Sequence, residues 1–215
     1  MHRRIWTVLM AMAALVSLTG CAARQVTLRS EQYVPEVEVA SFVKYKGKLV
    51  FVSQVVNTDD TTTKWGYKDA DQRLWYIMGD TTLEEYVRKC LIHTFHKVGM
   101  RMVIPNDTGG GISIVHGTPP FRVWSELRDA KLPPGTKDIR ITLISISSRS
   151  VVFKLSIIRE EILIYSGTMK ASLNEGSENK RNDEDFQNYA YRLMDRMAET
   201  ILKSPDFEAA FLKGL

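Results

Sequence analysis

The chain has 215 residues, of which 44% are hydrophobic and 25% are charged, so its composition is that of a globular protein with one large or two small domains. Its formal net charge is +4, and no run of Lys and Arg concentrates that charge. The sequence therefore does not predict a nucleic-acid-binding protein.

The first 20 residues have the three parts of a secretory signal peptide. His2-Arg3-Arg4 is a short positive start, the stretch from Ile5 to Leu18 is apolar and uncharged, and Thr19-Gly20 is a small-residue cleavage site. The apolar stretch is shorter than the about 20 residues that a membrane-spanning helix needs. Residues 1–20 are therefore predicted to be removed. The formal net charge then falls to +2, because two arginines leave and no acidic residue does.

The end of this stretch, Leu18-Thr19-Gly20-Cys21, resembles the lipobox of bacterial lipoproteins. The resemblance implies that a diacylglycerol is attached to the Cys21 thiol, that cleavage falls before Cys21 and that the new amine is acylated. Several acyl chains anchor a protein stably, whereas one binds only marginally. Ala22 stands where an Asp is the usual signal for inner-membrane retention, so we expect a lipid anchor in the Gram-negative outer membrane, facing the periplasm. The alternative is a secreted protein with an accidental Cys at its cleavage site.

Two further regions are predicted after the signal peptide: a polar tether over residues 21–35 and a single domain over residues 36–215. Cys90 is the one cysteine left after Cys21, so an intramolecular disulfide is not available if Cys21 carries lipid. The core of the domain must then come from packing alone.

The first half of the domain is predicted to contain β-α-β order. Thr82 and Glu85 have the spacing of a helix capping box, and Gly99 is a suitable helix end. The near-continuous apolar run from Leu49 to Val56 indicates a central strand that is buried on both faces. The predicted elements are a strand over 37–42, the central strand over 49–56, a helix over 82–99 and a strand over 100–104.

The second half is predicted to contain an antiparallel meander and a long final helix. Apolar and polar residues alternate in three runs between Ile139 and Ala171, with a phase shift at Ile144 that indicates either a bulge or a strand covered on both faces there. A helix from about Asp183 ends before Ser204-Pro205, which fits the start of a short second helix. The whole is predicted to be an α+β fold, with a mostly antiparallel sheet and two long helices packed on one of its faces.

Few residues suggest catalytic or metal chemistry. Cys90, His93 and His96 lie three apart on one helix, but Cys90 falls on the apolar stripe and zinc needs three or four convergent ligands. Gly109-Gly110-Gly111 lacks the Lys-Ser/Thr of a phosphate loop, and no Gly-x-Ser-x-Gly elbow occurs. We therefore expect no enzyme, no catalytic residue, no metal and no cofactor.

Aromatic residues beside charges leave two interpretations open. They form a loop packed onto the sheet edge, or they form a surface for a partner or for lipid, since aromatic residues are enriched at interfaces. The candidate partner surface consists of Trp65, Tyr67, Trp75, Tyr76, Phe121 and Trp124.

The sequence also resembles the YajG-like lipoproteins and the related ABC-transport auxiliary lipoproteins of the Gram-negative envelope. The resembling features are the lipobox at Cys21, the strand Leu49 to Asn57 with its polar loop, the helix from Thr82-Leu83-Glu84 to Gly99, the segment Ile162 to Gly167 and the terminal helices from Tyr189 to Phe211. The resemblance implies a non-enzymatic accessory protein that faces the periplasm, and it supplies no catalytic residues.

These observations favour a lipid-anchored accessory that binds or assembles other envelope proteins, in a transport, surface-assembly or flagellar system. Its expected partners are the membrane, through the N-terminal lipid, and envelope proteins, with no nucleic acid and no small-molecule ligand. A second hypothesis is a module that binds lipid or another hydrophobic ligand, suggested by Met100, Met102, Trp75 and Phe95. A third is an envelope enzyme.

Overall fold

A computed structural model describes residues 24–58, 64–68, 73–79, 81–105, 112–114, 132–147, 149–173 and 183–213. The strands in these ranges are β1 (Arg24–Leu28), β2 (Leu49–Asn57), β3 (Lys64–Lys68), β4 (Arg73–Met78), β5 (Arg101–Pro105), β6 (Ile112–Ile114), β7 (Lys137–Ile146), β8 (Ser150–Arg159) and β9 (Ile162–Ser172). The helices are α1 (Leu83–Lys97), α2 (Asp183–Lys203) and α3 (Pro205–Glu208). Short 3-10 helices cover Ser30–Gln32 and Val39–Tyr45, and a π-helical turn covers Ala209–Lys213.

The larger sheet has the strand order β6-β5-β2-β7-β8-β9. Three of its five pairings are antiparallel, while β2 lies parallel to both β5 and β7. Both long helices pack on this sheet, α1 against β2 and β5 and α2 against β8 and β9, and the two helices contact each other. The predicted α+β class, with its mostly antiparallel sheet and two long helices on one face, is confirmed.

The central strand is buried on both faces where its apolar run is densest. Val50, Phe51 and Val52 are all buried, and β2 has a neighbour on each side. Since successive side chains of a strand point to opposite faces, three consecutive buried residues require cover on both. The prediction for this strand is confirmed.

The first long helix begins and ends where its sequence predicts. The Thr82 hydroxyl accepts a hydrogen bond from the Glu85 backbone N–H at 3.3 Å, while the Glu85 carboxylate pairs with Arg88. The chain leaves the helix through Gly99, whose φ of +87° is a conformation that suits glycine. The strand β5 follows at once and lies parallel to β2, which confirms the β-α-β order.

The three strands β7, β8 and β9 form the predicted meander. The pairing of β7 with β8 shifts between Leu143 and Ser145, so the change of phase at Ile144 is a bulge. The turn between β8 and β9 consists of Glu160 and Glu161, with φ of 50° and 68°. Two successive left-handed residues are typical of the tight turns whose twist matches a hairpin.

The N-terminal segment differs from the prediction. Residues 24–28 form a strand and Tyr33 is buried, so the described part of the expected tether, residues 24–35, belongs to the fold. The strand expected over 37–42 is also wrong, because Val39–Tyr45 is a 3-10 helix that buries Phe42 and Tyr45. The segment is kinked at Phe42, whose φ is −122°, and both Phe42 and Tyr45 reach the core.

A second, smaller sheet has the order β1-β4-β3, with β1 parallel to β4 and β3 antiparallel to it. Buried residues of β1 and β4 join the same hydrophobic core as the large sheet and the helices. Within the described residues, no helix combines the length and the apolar character needed to cross a membrane.

The C-terminal end of the core is closed by aromatic rings. The Ser204 hydroxyl accepts a hydrogen bond from the Phe207 N–H at 3.3 Å, which caps α3 as predicted. The Phe207 ring stacks on Phe211, with centroids 5.0 Å apart, and lies 5.9 Å from the ring of Tyr45. All three residues are buried.

Replacing Phe207 by Ala should lower the free energy of unfolding by about 3–5 kcal/mol, because the change leaves a cavity among packed rings. Urea denaturation followed by circular dichroism measures the loss. The control Leu163→Ala removes an exposed side chain and should change stability by less than about 0.5 kcal/mol. Equal losses for the two variants would contradict the packing described.

Candidate functional site

The candidate site is the small sheet, which we define as β1, β3 and β4. Its first strand begins at Arg24, three residues after Cys21. The pairing of the three strands places Lys68 beside Arg73 in the outermost row, and Tyr67, Leu74 and Arg24 in the next. Gly66, Trp75 and Gln25 form the third row, and Trp65, Tyr76 and Val26 form the fourth.

One face of this sheet belongs to the core. Val26, Leu28, Tyr76 and Met78 are buried in the core cluster. Gln25 and Thr27, which alternate with the buried residues of β1, are exposed. Because alternate residues of a strand point to opposite faces, β1 has a core side and a solvent side.

Tyr76 is the one member of the predicted partner surface whose side chain is described, and for it the prediction is wrong. Its side chain is 0% exposed, and its hydroxyl donates a hydrogen bond to the Phe186 carbonyl oxygen at 3.1 Å. The physical reason is its position in a half-buried strand, where it points to the core and bonds the start of α2.

The other predicted residues are only partly covered by the structure. Trp65, Tyr67 and Trp75 lie in strands β3 and β4, and their backbone is described but their side chains are not. Cys21, Phe121 and Trp124 lie outside the described residues. The three strand residues are brought together by the register, which the sequence indicated only as a loop cluster.

A segment that we call the N-terminal strap, residues 27–45, runs along α2 and fixes the small sheet to the body. The Gln187 side chain donates to the Thr27 carbonyl at 2.7 Å, and the Tyr191 hydroxyl donates to the Arg29 carbonyl at 3.2 Å. Further along, the Tyr45 hydroxyl donates to the Leu202 carbonyl at 2.9 Å. The strap and the helix therefore advance in the same direction, from the small sheet to the C-terminal end of α2.

The middle of the strap is held by a buried polar cluster. The Tyr33 hydroxyl donates to Asp195 Oδ1 at 2.6 Å and lies 2.7 Å from Thr94 Oγ1. The same Asp195 oxygen accepts the Glu36 N–H at 3.1 Å. The cluster thus joins the strap to both long helices, since Thr94 is in α1 and Asp195 is in α2.

Burial dominates the electrostatics of this cluster. It raises the pKa of Asp195, and the hydrogen bonds from Tyr33 and from the Glu36 N–H oppose that rise by stabilising the carboxylate. Burial also raises the pKa of Tyr33 well above its ordinary value, so its hydroxyl remains a donor at physiological pH. The cluster therefore has a structural role, which is to hold the N-terminal strap against both long helices.

The histidines of α1 do not form a metal site with any described neighbours. Among the residues that the structure describes, no group of three His, Cys, Asp or Glu could hold a metal ion. Cys90 is buried in the core. Burial, together with the charges of His96 and Lys89, lowers the pKa of His93 to about 4.

Packing explains three of the four residues that suggested a hydrophobic ligand, and the side chain of the fourth, Trp75, is not described. Met100, Met102 and Phe95 are buried members of the core cluster. Their large side chains pack in the core that α1 and the large sheet share.

Four exposed aliphatic residues lie away from the small sheet, towards the C-terminal end of α2, and the other exposed large apolar residues that the structure describes are Val34, Val56 and Ile144. Val43 is 65% exposed beside Lys44, which pairs with Glu208 of α3 at 2.5 Å. Ile162 and Leu163, 66% and 57% exposed, lie at the tip of the hairpin β8–β9. We call Val39, Val43, Ile162 and Leu163 the distal aliphatic residues.

Sequence reasoning missed Tyr33, Asp195 and the strap. A signal existed in β1, where Val26 and Leu28 alternate with Gln25 and Thr27, but it spans too few residues to stand out. Asp195 gave no such signal, because it lies two positions from Leu193 and Met197 and so falls off the predicted apolar stripe, where an acidic residue is expected to face solvent. Its partner lies 162 positions away in the sequence, which no local pattern reveals.

Comparison with known families and with curated proteins finds no match to this chain. Among solved structures, an uncharacterized protein is similar with a TM-score of 0.46 and 11% sequence identity, over 85% of this chain and 98% of that one. A Xanthomonas campestris protein of the family DUF330 is similar with a TM-score of 0.46 and 8% identity, over 90% of this chain and 96% of that one. Similarity at this level does not bear on function.

Replacing Tyr33 by Phe should lower the free energy of unfolding by about 2 kcal/mol, because a buried carboxylate loses a hydrogen-bond donor. Chemical denaturation at pH 7 measures the change. The control Tyr191→Phe removes a hydroxyl that bonds a carbonyl near the surface, and it should cost less than about 1 kcal/mol. A Tyr33→Phe variant as stable as the original protein would contradict the structural role of this cluster.

His93 should make the protein less stable in acid. Its pKa is lower in the folded chain, about 4, than in the unfolded chain, so the unfolded state binds the proton first. Neutral His93 therefore contributes to the free energy of unfolding above its unfolded-state pKa, and this contribution is lost as pH falls towards about 4. In a His93→Gln variant the free energy of unfolding should fall less over this pH range. In His96→Gln it should fall nearly as much as in the original protein. Denaturation curves measured in steps from pH 7.5 to pH 4 test this prediction. It is wrong if the free energy of unfolding of His93→Gln and that of the original protein fall in parallel.

Proposed function

We propose that the protein is a lipid-anchored, non-enzymatic accessory of the bacterial cell envelope, which binds or helps assemble other envelope proteins on the periplasmic side of the outer membrane. The observation that carries the proposal is the position of β1. A lipobox-like sequence ends at Cys21, and a strand of the folded domain begins at Arg24.

The arrangement of the two ends supports an accessory role. The helix α2 has 21 residues and is about 30 Å long. The small sheet lies at its start, and the distal aliphatic residues lie towards its end. A domain anchored at one end would present these exposed side chains away from the membrane, where another protein could cover them.

The sequence resemblance to YajG-like and ABC-transport auxiliary lipoproteins agrees with this role. It rests on the lipobox, the central strand and the two long helices, and it implies no catalytic residues. A transport, surface-assembly or flagellar system is the setting that we propose for the partner.

Lipidation is tested by the intact mass of the protein purified from membranes. The mature chain should begin at Cys21 and carry the added mass of a diacylglycerol and a third acyl chain. Cys21→Ser should carry no lipid, and the control Cys90→Ser should keep it, because Cys90 is buried in the core. A wild-type protein that is cleaved before residue 21 but has no added lipid would contradict the anchor.

Partner binding is tested by a photo-crosslinking amino acid at Val43 or Leu163, in living cells. Both positions should give the same adduct with one envelope protein, identified by mass spectrometry, and Ile162→Lys should weaken it. The control position is Thr168, which is exposed on β9 away from the hairpin tip. No adduct, or equal adducts at all three positions, would contradict a partner at the distal end.

A further inference from the structure

The meander of β7, β8 and β9 has one face that points away from the two long helices. Phe153, Leu155 and Met169 are buried in the core that the helices share. Because successive side chains of a strand point to opposite faces, the residues that alternate with them lie on the other side. We call this side the outer face and define it by Arg140, Lys154, Ser156, Ser166, Thr168 and Lys170. Ser156 is half-buried, and the other five residues are exposed.

Three cations cross the outer face in a line. Lys154 of β8 lies opposite Thr168 of β9, and Lys170 is two residues further along β9. On the other side, Arg140 of β7 lies opposite Ser156, which is two residues from Lys154 in the other direction. Diagonal neighbours of this kind are about 7–8 Å apart, so the three cations follow one diagonal over three strands.

The acidic groups near this line compensate only part of its charge. Asp138 is the one acidic residue within the three strands, and its buried carboxylate accepts a hydrogen bond from Arg140 Nε at 3.0 Å. The turn residues Glu160 and Glu161 begin six residues beyond Lys154, which is about 20 Å along a strand. The two lysines of the outer face therefore remain available to an anionic ligand.

The side chains beside these cations are hydroxyls. Ser166 and Thr168 are exposed, and Ser156 Oγ lies 3.3 Å from Ser166 Oγ. A hydroxyl both donates and accepts hydrogen bonds, which suits the hydroxyls of a sugar, while a cation binds a carboxylate. Protein interfaces are instead rich in aromatic residues and poor in Lys and Ser. This composition favours an acidic sugar polymer over a protein partner.

We propose that the outer face binds the carboxylate-bearing glycan of the cell wall, with Lys154 and Lys170 at its carboxylates and Ser166 and Thr168 at its sugar hydroxyls. The choice of this polymer rests on the proposed function, since the cell-wall glycan is the acidic sugar polymer that a periplasm-facing domain meets. The distal aliphatic residues lie outside the outer face, so one domain can bind the wall and an envelope protein at the same time.

The test mixes residues 21–215, carrying Cys21→Ser and therefore no lipid, with purified cell-wall sacculi and measures the fraction of protein that sediments. Lys154→Gln combined with Lys170→Gln should lower that fraction several-fold, because two cations that face the polymer are lost. The control Lys46→Gln combined with Lys48→Gln removes two exposed lysines before β2 and should bind like the original chain. Circular dichroism checks that all variants are folded. Equal binding by the two double variants would overturn the assignment.

The chemistry of the ligand is tested on the wall itself. Sacculi whose carboxylates have been converted to amides keep their sugars, and they should bind the original chain several-fold less. Undiminished binding to the amidated sacculi would overturn the role of the carboxylates. Vesicles of phosphatidylcholine with phosphatidylglycerol should bind less protein than sacculi do. Stronger binding to these vesicles, lost in the Lys154→Gln and Lys170→Gln variant, would assign the face to a lipid surface and overturn the glycan.

The outcomes separate this inference from the proposed function. Lipid present on Cys21 of the wild-type protein, with no binding of the chain to sacculi, would overturn the inference and leave the anchor intact. Binding to sacculi that depends on Lys154 and Lys170, with a wild-type mass that shows no lipid, would support the outer face and overturn the anchor.

Discussion

The hydrogen bond from Tyr33 to Asp195 is the interaction on which the rest of the structure depends. A carboxylate buried without donors costs several kcal/mol, and this one receives two donors, both from the N-terminal strap. Because Thr94 of α1 also contacts the Tyr33 hydroxyl, one cluster fixes the strap and both long helices relative to each other. The strap, and β1 at its start, are held against the body of the domain by that constraint.

Elements with strong local signals could be predicted from the sequence, and elements defined by distant partners could not. The cap at Thr82, the glycine at the end of α1 and the Ser204-Pro205 break are each encoded within a few residues, and the structure has all three. The parallel pairing of β2 with β7 joins segments more than 80 positions apart, so no local pattern predicts it. The N-terminal segment could not be distinguished from a tether for the same reason. The short alternation of polar and apolar residues in β1 can be interpreted only when its contacts with α2 and β4 are known.

The candidate site was predicted in part. The aromatic residues around Trp65 and Trp75 are visible as a group in the sequence, and the strand register places both in the small sheet that includes β1. A sequence pattern does not say which face of a strand meets the core, so the buried position of Tyr76 could not be predicted.

The central claim is that residues 24–28, close behind Cys21 in the sequence, form a strand of the folded domain. Amide hydrogen exchange of the lipidated mature protein, followed at Val26 and Leu28, tests it most directly. The account predicts protection comparable to that of Val50 and Val52 in the central strand, because β1 is hydrogen-bonded to β4 and buried on one face. Exchange at Val26 and Leu28 as fast as in an unstructured peptide would show that this segment is a tether and would contradict the account.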